Sequence, residues 1–464
     1  MNKIFSLIFL LSISVAHAQQ KPNIVYIMAD DMGWKDAAFM GSDFYLTPHL
    51  DQLAKEGMVF TNAYAGAGNC APSRACLISG QYTPRHGVYA VYNTKRGPVD
   101  QMRLEPIPNS NELAPSVYTI AEALHDGGYK TAIFGKWHLG SRAGTFPRDQ
   151  GFDVDSSFNP PSEKYFRETN DPKGIYRITN GACAFMEQNK DRPFFLYVSH
   201  HATHMPIQVR KDMQDLFDNR AGQLQKNKRF AGMNAQMDDG IGQLLRKIKE
   251  LGLEDNTLVI FTSDNGGLPQ SPQDPLRGFK GMYYEGGIRV PLIAKWPKHI
   301  KAGTKQETPI INADMFPTFM EVSGTKIPNT KTLDGKSLLP FFNQPDLKGD
   351  QAIFWHFPGY LDNPNPGSRD NVFRSRPVST VRKGDWKLLL YHEEWVLDGG
   401  LAKIENNKSV ELYNLKDDLS ETKNLASIHK EKRDELLKEL MSIMKNTGAS
   451  MPDTKNPQYK SAAP

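Results

Sequence analysis

Asn23-Ile24-Val25-Tyr26-Ile27-Met28-Ala29 runs straight into two carboxylates, Asp30-Asp31. Seven residues with no polar alternation after Asn23 predict a strand covered on both faces, the form taken by strands of a parallel sheet. Three later stretches repeat the pattern. Thr131 to Phe134 is followed by Lys136 and His138, Phe194 to Ser199 by His201 and His204, and Thr257 to Thr262 by Asp264 and Asn265. Helical patterns separate them. Pro48 to Glu56 has Thr47 as cap and Gly57 as stop, and Thr119-Ile-Ala-Glu122 is a capping box ending at Gly127-Gly128. Strand and helix in alternation predict an α/β domain with a mainly parallel mixed sheet flanked by helices. Open sheets of this class carry their sites beyond the carboxyl ends of the strands, where all four polar clusters fall. Any one cluster reads equally well as a turn; four together argue for a common site.

Beyond residue 345 the pattern changes. Val378 to Val381, Trp386 to Tyr391 and Ser409 to Tyr413 read as strands of a small antiparallel sheet, followed by an amphipathic helix from about His429 to Lys445. Pro358 to Pro377 has no periodicity and reads as a loop at the junction. The expected division is a catalytic domain over 19–345 and a C-terminal subdomain over 346–464. The first 18 residues read as a secretory signal: Lys3, an apolar run from Ile4 to Val15, then Ala16-His17-Ala18 before Gln19. A secreted or periplasmic product without a membrane span is therefore expected. The formal charge of +4 falls to +3 once Lys3 leaves, too small an excess to argue for a nucleic-acid partner. There are three cysteines, an odd number for an exported chain; Cys76 and Cys183 pair or stay as buried thiols if Cys70 is consumed by chemistry.

The stretch that speaks of chemistry is Asn69-Cys70-Ala71-Pro72-Ser73-Arg74-Ala75-Cys76-Leu77-Ile78-Ser79-Gly80. Pro72 suits the first turn of a helix ending at Gly80, which puts Cys70 at a positively polarised helix start where an anion can dock. Independently, Asp30, Asp31, Asp264 and Asn265 form an all-oxygen donor set suited to a hard cation, calcium or, less readily, magnesium.

This stretch resembles the signature of the formylglycine-dependent, type I sulfatases, Cys-x-Pro-x-Arg followed by Leu, a small hydroxyl residue and Gly. Gly135-Lys136-Trp137-His138-Leu139-Gly140 resembles a second family segment, and the likeness extends to Glu411-Leu412-Tyr413-Asn414-Leu415. The resemblance implies the alkaline phosphatase superfamily fold with a four-stranded antiparallel C-terminal subdomain. It also implies that a maturation enzyme oxidises Cys70 to formylglycine, whose hydrate attacks sulfur. Asp30, Asp31, Asp264, Asn265 and the modified Cys70 would hold calcium. By the same resemblance Lys136 and Lys280 bind sulfate, Arg74 steadies the nucleophile, His138 deprotonates it, and His204 protonates the leaving alcohol. Two departures stand out: Phe279 where glycine is common before Lys280, and Thr203 within His201-Ala202-Thr203-His204-Met205-Pro206.

The substrate class this implies is a sulfated carbohydrate, galactose or N-acetylgalactosamine residues of host or algal glycans, attacked at the chain end. His356, Arg374 and Arg376, in or beside the irregular segment, are the candidate sugar contacts. The alternatives are an arylsulfatase, a phosphonate or phosphate monoester hydrolase of the same superfamily, or an inactive sulfoglycan-binding protein should Cys70 stay unmodified.

Overall fold

A computed structural model describes residues 21–157 and 170–460; the signal-like segment lies outside them. Its strands are β1 (Asn23–Ala29), β2 (Met58–Phe60), β3 (Lys130–Gly135), β4 (Val154–Ser157), β5 (Phe194–Ser199), β6 (Thr257–Ser263), β7 (Leu292–Lys295) and β8 (Thr304–Gln306). They form one sheet in the order β8-β2-β7-β6-β1-β5-β3-β4. All neighbours are parallel except β2–β7 and β6–β7.

β1 shows why the run before Asp30 had to be continuous. Its alternate residues Ile24, Tyr26 and Met28 enter one core and Val25, Ile27 and Ala29 the other. Each fully buried large side chain contributes about 1.5–3 kcal/mol of transfer free energy. The helices Pro48–Glu56, Ile175–Asn189 and Lys228–Glu250 cover the second face. Cys70–Ser79, Ile120–Asp126 and Met315–Ser323 cover the first. The capping box at Thr119 is present with both its bonds. Among the described residues no helix is long and apolar enough to cross a membrane.

The second sheet is antiparallel throughout: β9 (Ala352–Phe357), β10 (Val378–Lys383), β11 (Trp386–Tyr391) and β12 (Val410–Asn414), paired in that order. A two-residue turn joins β10 to β11, with Gly384 at φ +57°, a conformation glycine adopts without strain. Leu436, Leu437, Leu440 and Met444 of the helix Lys430–Thr447 pack on this sheet, in a core that also takes in Tyr64, Tyr82 and Tyr284 from the larger half.

β9 corrects the reading of His356 as a sugar contact. Trp355 is core, its indole N–H donating to Ala65 O at 2.8 Å. His356 is 1% exposed, its Nδ1 2.8 Å from Ser379 Oγ on β10. A polar residue on a strand buried on both faces needs such a partner, and a histidine without solvent access has no route to a sugar. The three cysteines are free thiols; Cys76 lies against Gly66 and His86 on one side of the large sheet, Cys183 in the helix on the other.

Candidate active site

The four polar clusters come from β6, β1, β5 and β3, which are adjacent in the sheet, so their carboxyl ends open onto one place. Asp30 and Asp31 leave β1, Asp264 and Asn265 leave β6, and Lys136 and His138 leave β3. Asp31 and His138 both sit at φ +64°, a left-handed conformation that costs roughly 1–3 kcal/mol outside glycine and is characteristic of functional sites. The helix Cys70–Ser79 points its first residue at this spot. All ten of its residues are buried, and it stops at Gly80, whose φ of +65° turns the chain away.

The ligand atoms of Asp30, Asp31, Cys70 and Asp264 lie within 4.8 Å of one another. Cys70 Sγ is 3.5 Å from an oxygen of Asp30 and of Asp31, and the Lys280 ammonium stands 3.1 Å from the sulfur and 2.7 Å from Asp31. Lys136 Nζ donates to both oxygens of Asp30 at 2.8 and 2.7 Å. Arg74, wholly buried, donates to Asp264 at 2.9 and 2.7 Å, to Ser199 Oγ at 2.5 Å and to Lys136 O at 3.1 Å. Three cations thus face three carboxylates. Burial pushes the Asp30 carboxyl up, but Lys136, with help from His204 and Arg74, outweighs it and holds the group well below the usual range. Burial pushes the Cys70 thiol well above its usual value, and the Asp264 carboxylate adds to the effect. His138 is pushed down to about 2 by burial and by Lys136 and Arg74, so its imidazole is neutral.

One acceptor remains over. Asn265 Nδ2 donates to Asp31 and to Gly266 O at 2.8 and 2.9 Å, while its Oδ1 is buried with no hydrogen-bond partner. A buried amide oxygen beside three carboxylates is the donor chemistry of a hard divalent cation, so the residues present fit such an ion. His204 closes the outer side, Nε2 3.6 Å from Asp31 with a side chain 40% exposed.

The remaining sequence candidates part company. Arg374 lies over the loop carrying Lys280: a Cβ on Gly281 would fall 2.6 Å from its Cδ. Burial and the nearby Arg96 guanidinium lower its pKa, and Asp31 is among the charges acting on it. Arg376 is instead committed to Asp370 at 2.6 Å and Glu393 at 2.7 Å. Neither it nor His356 makes a described contact with the Cys70 cluster. Sequence reasoning passed over Ser199 and Tyr197, which both hold Arg74; their i, i+2 spacing on a strand places them on one face, the one available signal. It also passed over Lys173, 1% exposed, whose pKa burial lowers to about 8 while Asp30 raises it.

Comparison with known proteins adds three findings. The profile described as Sulfatase matches residues 22–325, and that described as N-sulphoglucosamine sulphohydrolase, C-terminal, matches 279–449. A sulfatase of Formosa agariphila is 31% identical over 88% of this chain and 85% of its own. The N-acetylgalactosamine-6-sulfatase of Homo sapiens is 33% identical over 73% of this chain and 69% of its own. Among solved structures, Ps i-CgsB superposes with a TM-score of 0.74 at 28% identity over 95% of both chains, and it has also been solved in complex with k-i-k-neocarrahexaose.

Proposed function

The chain belongs to the sulfatase family and is a sulfuric ester hydrolase, and on that premise we propose that it removes sulfate from a carbohydrate, galactose or N-acetylgalactosamine in a glycan, acting at the chain end. The observation that carries the chemistry is the convergence on Cys70: a helix start, two lysines, three carboxylates and the unpartnered Asn265 Oδ1. The relatives named for N-acetylgalactosamine 6-sulfate and the structure bound to an oligosaccharide support the substrate class.

Asp30, Asp31, Asp264, Asn265 and the modified Cys70 would hold calcium, which when bound supplies positive charge to a sulfate oxygen. Formylglycine at Cys70, made by a separate maturation enzyme, supplies as its hydrate the attacking oxygen. The protein's own side chains do the rest. Lys136 and Lys280 bind the sulfate oxygens, an electrostatic clamp on the transferring group. Arg74 keeps Asp264 in place through two hydrogen bonds. His138, neutral, takes the proton of the attacking hydroxyl, and His204, at the solvent side, gives one to the departing sugar alcohol, a poor leaving group as an alkoxide. Arg374 reaches toward the sugar. Export through residues 1–18 and division of the chain near residue 345 belong to the same reading.

The test has two parts. Mass spectrometry of the Cys70 peptide from protein matured alongside a formylglycine-generating enzyme is expected to find the aldehyde, and fully active protein carrying only thiol would overturn the mechanism. Chelation is expected to lower sulfate release from a panel of defined sulfated sugars by at least about a hundredfold, with calcium restoring it better than magnesium; full activity after exhaustive chelation would remove the metal from the scheme.

A further inference from the structure

Beside the nucleophile helix, a cavity of about 380 Å³ is lined by Ala71, Val91, Tyr92, Glu112, His138 and Ser141 among others. Ala71 follows Cys70 in the chain and His138 lies two residues beyond Lys136, so the cavity adjoins the reacting centre. Tyr92 stands at its lip. It is 74% exposed, more than any other large apolar side chain among the described residues. Its backbone is strained as well: φ is +71°, and Asn93 N–H donates to Val91 O at 3.1 Å across it, a three-residue turn of the rare positive-φ form. A bulky aromatic residue in this conformation persists only when its surroundings hold it there.

They do. The side-chain amide of Asn109 donates to the carbonyls of Ala90 and Tyr92 at 3.1 and 3.2 Å, and its oxygen accepts from the N–H groups of Tyr89 and Ala90 at 2.7 and 3.0 Å. One half-buried anchor thus fixes the turn and leaves the ring in water. Neither core packing nor loop closure calls for a tyrosine there, since the ring itself covers little.

We propose that Tyr92 is a stacking platform for a sugar ring of the substrate, next to the ring that bears the sulfate ester. The inference deepens the carbohydrate reading above and rests on it. The C–H face of a pyranose is apolar while its rim is hydroxylated. An exposed aromatic face meets the first, and the second meets Ser141 and the Glu112 carboxylate, which already accepts from the Ser141 N–H and the Arg142 guanidinium. A ring lying on Tyr92 places its neighbour in the cavity beside His138. The contact is the same before and during reaction, so its loss reads out in KM more than in kcat.

The experiment compares matured parent, Tyr92→Ala and Tyr92→Trp on sulfated oligosaccharides, the matching sulfated monosaccharide and a small aryl sulfate. Tyr92→Ala is expected to raise KM for the oligosaccharide by roughly three- to tenfold, the scale of one aromatic contact, and Tyr92→Trp to restore it. The KM rise on the monosaccharide should be smaller, because it lacks the second ring. An oligosaccharide KM unchanged in Tyr92→Ala, with the parent active on carbohydrate sulfates, overturns the platform alone. A parent that turns over the aryl sulfate and no carbohydrate sulfate overturns the substrate reading and the platform with it.

Discussion

Two clusters of buried charge divide this molecule, and they use their hydrogen bonds differently. Around Glu285, where the second sheet meets the larger half of the molecule, Lys387 Nζ lies 2.9 Å from Glu285 and 2.8 Å from Glu421, all three with no exposed side-chain surface. Tyr64 OH donates to Glu285 at 2.6 Å, Glu421 accepts from the Glu285 N–H at 2.6 Å, and Arg289 and Arg382 close the ring. Around Cys70 the charges are nearly as buried, yet Asn265 Oδ1 has no partner, His204 reaches solvent and a cavity opens beside His138. The first arrangement ends in itself. The second leaves an acceptor and an opening, which the proposed function fills with a cation and an anionic substrate. Buried charge is thus a sign of function when the cluster has an opening and an acceptor to spare, and a sign of architecture when it has neither.

The sharpest way to break the comparison is Cys70→Ala. Sulfate release is expected to fall by at least about four orders of magnitude, as when a nucleophile is removed. Thermal unfolding should stay near the parent, because the change removes one sulfur atom from a helix otherwise held by its neighbours. A large loss of Tm would mean that the Cys70 cluster is architecture after all.

The opposite outcome is expected at the interface. Lys387→Met leaves Glu285 and Glu421 buried without their ammonium, and removing one partner of such a group costs about 3–5 kcal/mol. Burial already raises the Glu421 pKa to about 7, against the pull of Lys387. Denaturant unfolding should register the loss, while sulfate release per folded molecule, measured at low temperature, stays within about threefold of the parent. A deep fall in turnover without loss of stability would show that the interface cluster feeds the site.

What the sequence made legible follows the same division. The four strands that build the site were read with ends agreeing to within a residue, because parallel strands buried on both faces are continuous apolar runs and the chemistry begins where the run ends. Cys70 at a helix start and the Gly80 stop were equally local signals. Pairing across the chain was not local. Nothing in Trp355-His356-Phe357 distinguishes an edge of the site from an interior strand, and only the partners Ala65 and Ser379, hundreds and tens of residues away, decide it. The interface cluster was invisible for that reason: Glu285, Lys387 and Glu421 are ordinary surface residue types until the second sheet packs on the larger half. Tyr92 was invisible too, since its meaning lies in a backbone angle and in the reach of Asn109.

The smallest expected effect separates two arginines that the sequence could not tell apart. Arg374 donates from Nε to Asn363 O at 3.0 Å and lies over Gly281, beside the Lys280 that touches Cys70. Arg376, two residues on, is held by Asp370 and by Glu393, itself 1% exposed. Arg374→Ala should therefore act on turnover: without the guanidinium to hold the sugar in the transition state, kcat/KM on a sulfated glycan falls by about three- to tenfold, and more than on a small aryl sulfate that never used it. Arg376→Ala should act on stability, costing about 2–3 kcal/mol because Glu393 stays behind with a missing charge-assisted bond. Steady-state kinetics and denaturant unfolding of the two variants, measured side by side, check both halves. Equal losses on glycan and aryl sulfate in Arg374→Ala would place that residue with the architecture. A selective loss on glycan in Arg376→Ala, with its stability intact, would mean that the ion pairs to Asp370 and Glu393 open when sugar binds, and that the line between the two regions runs one residue pair further into the loop than the resting structure draws it.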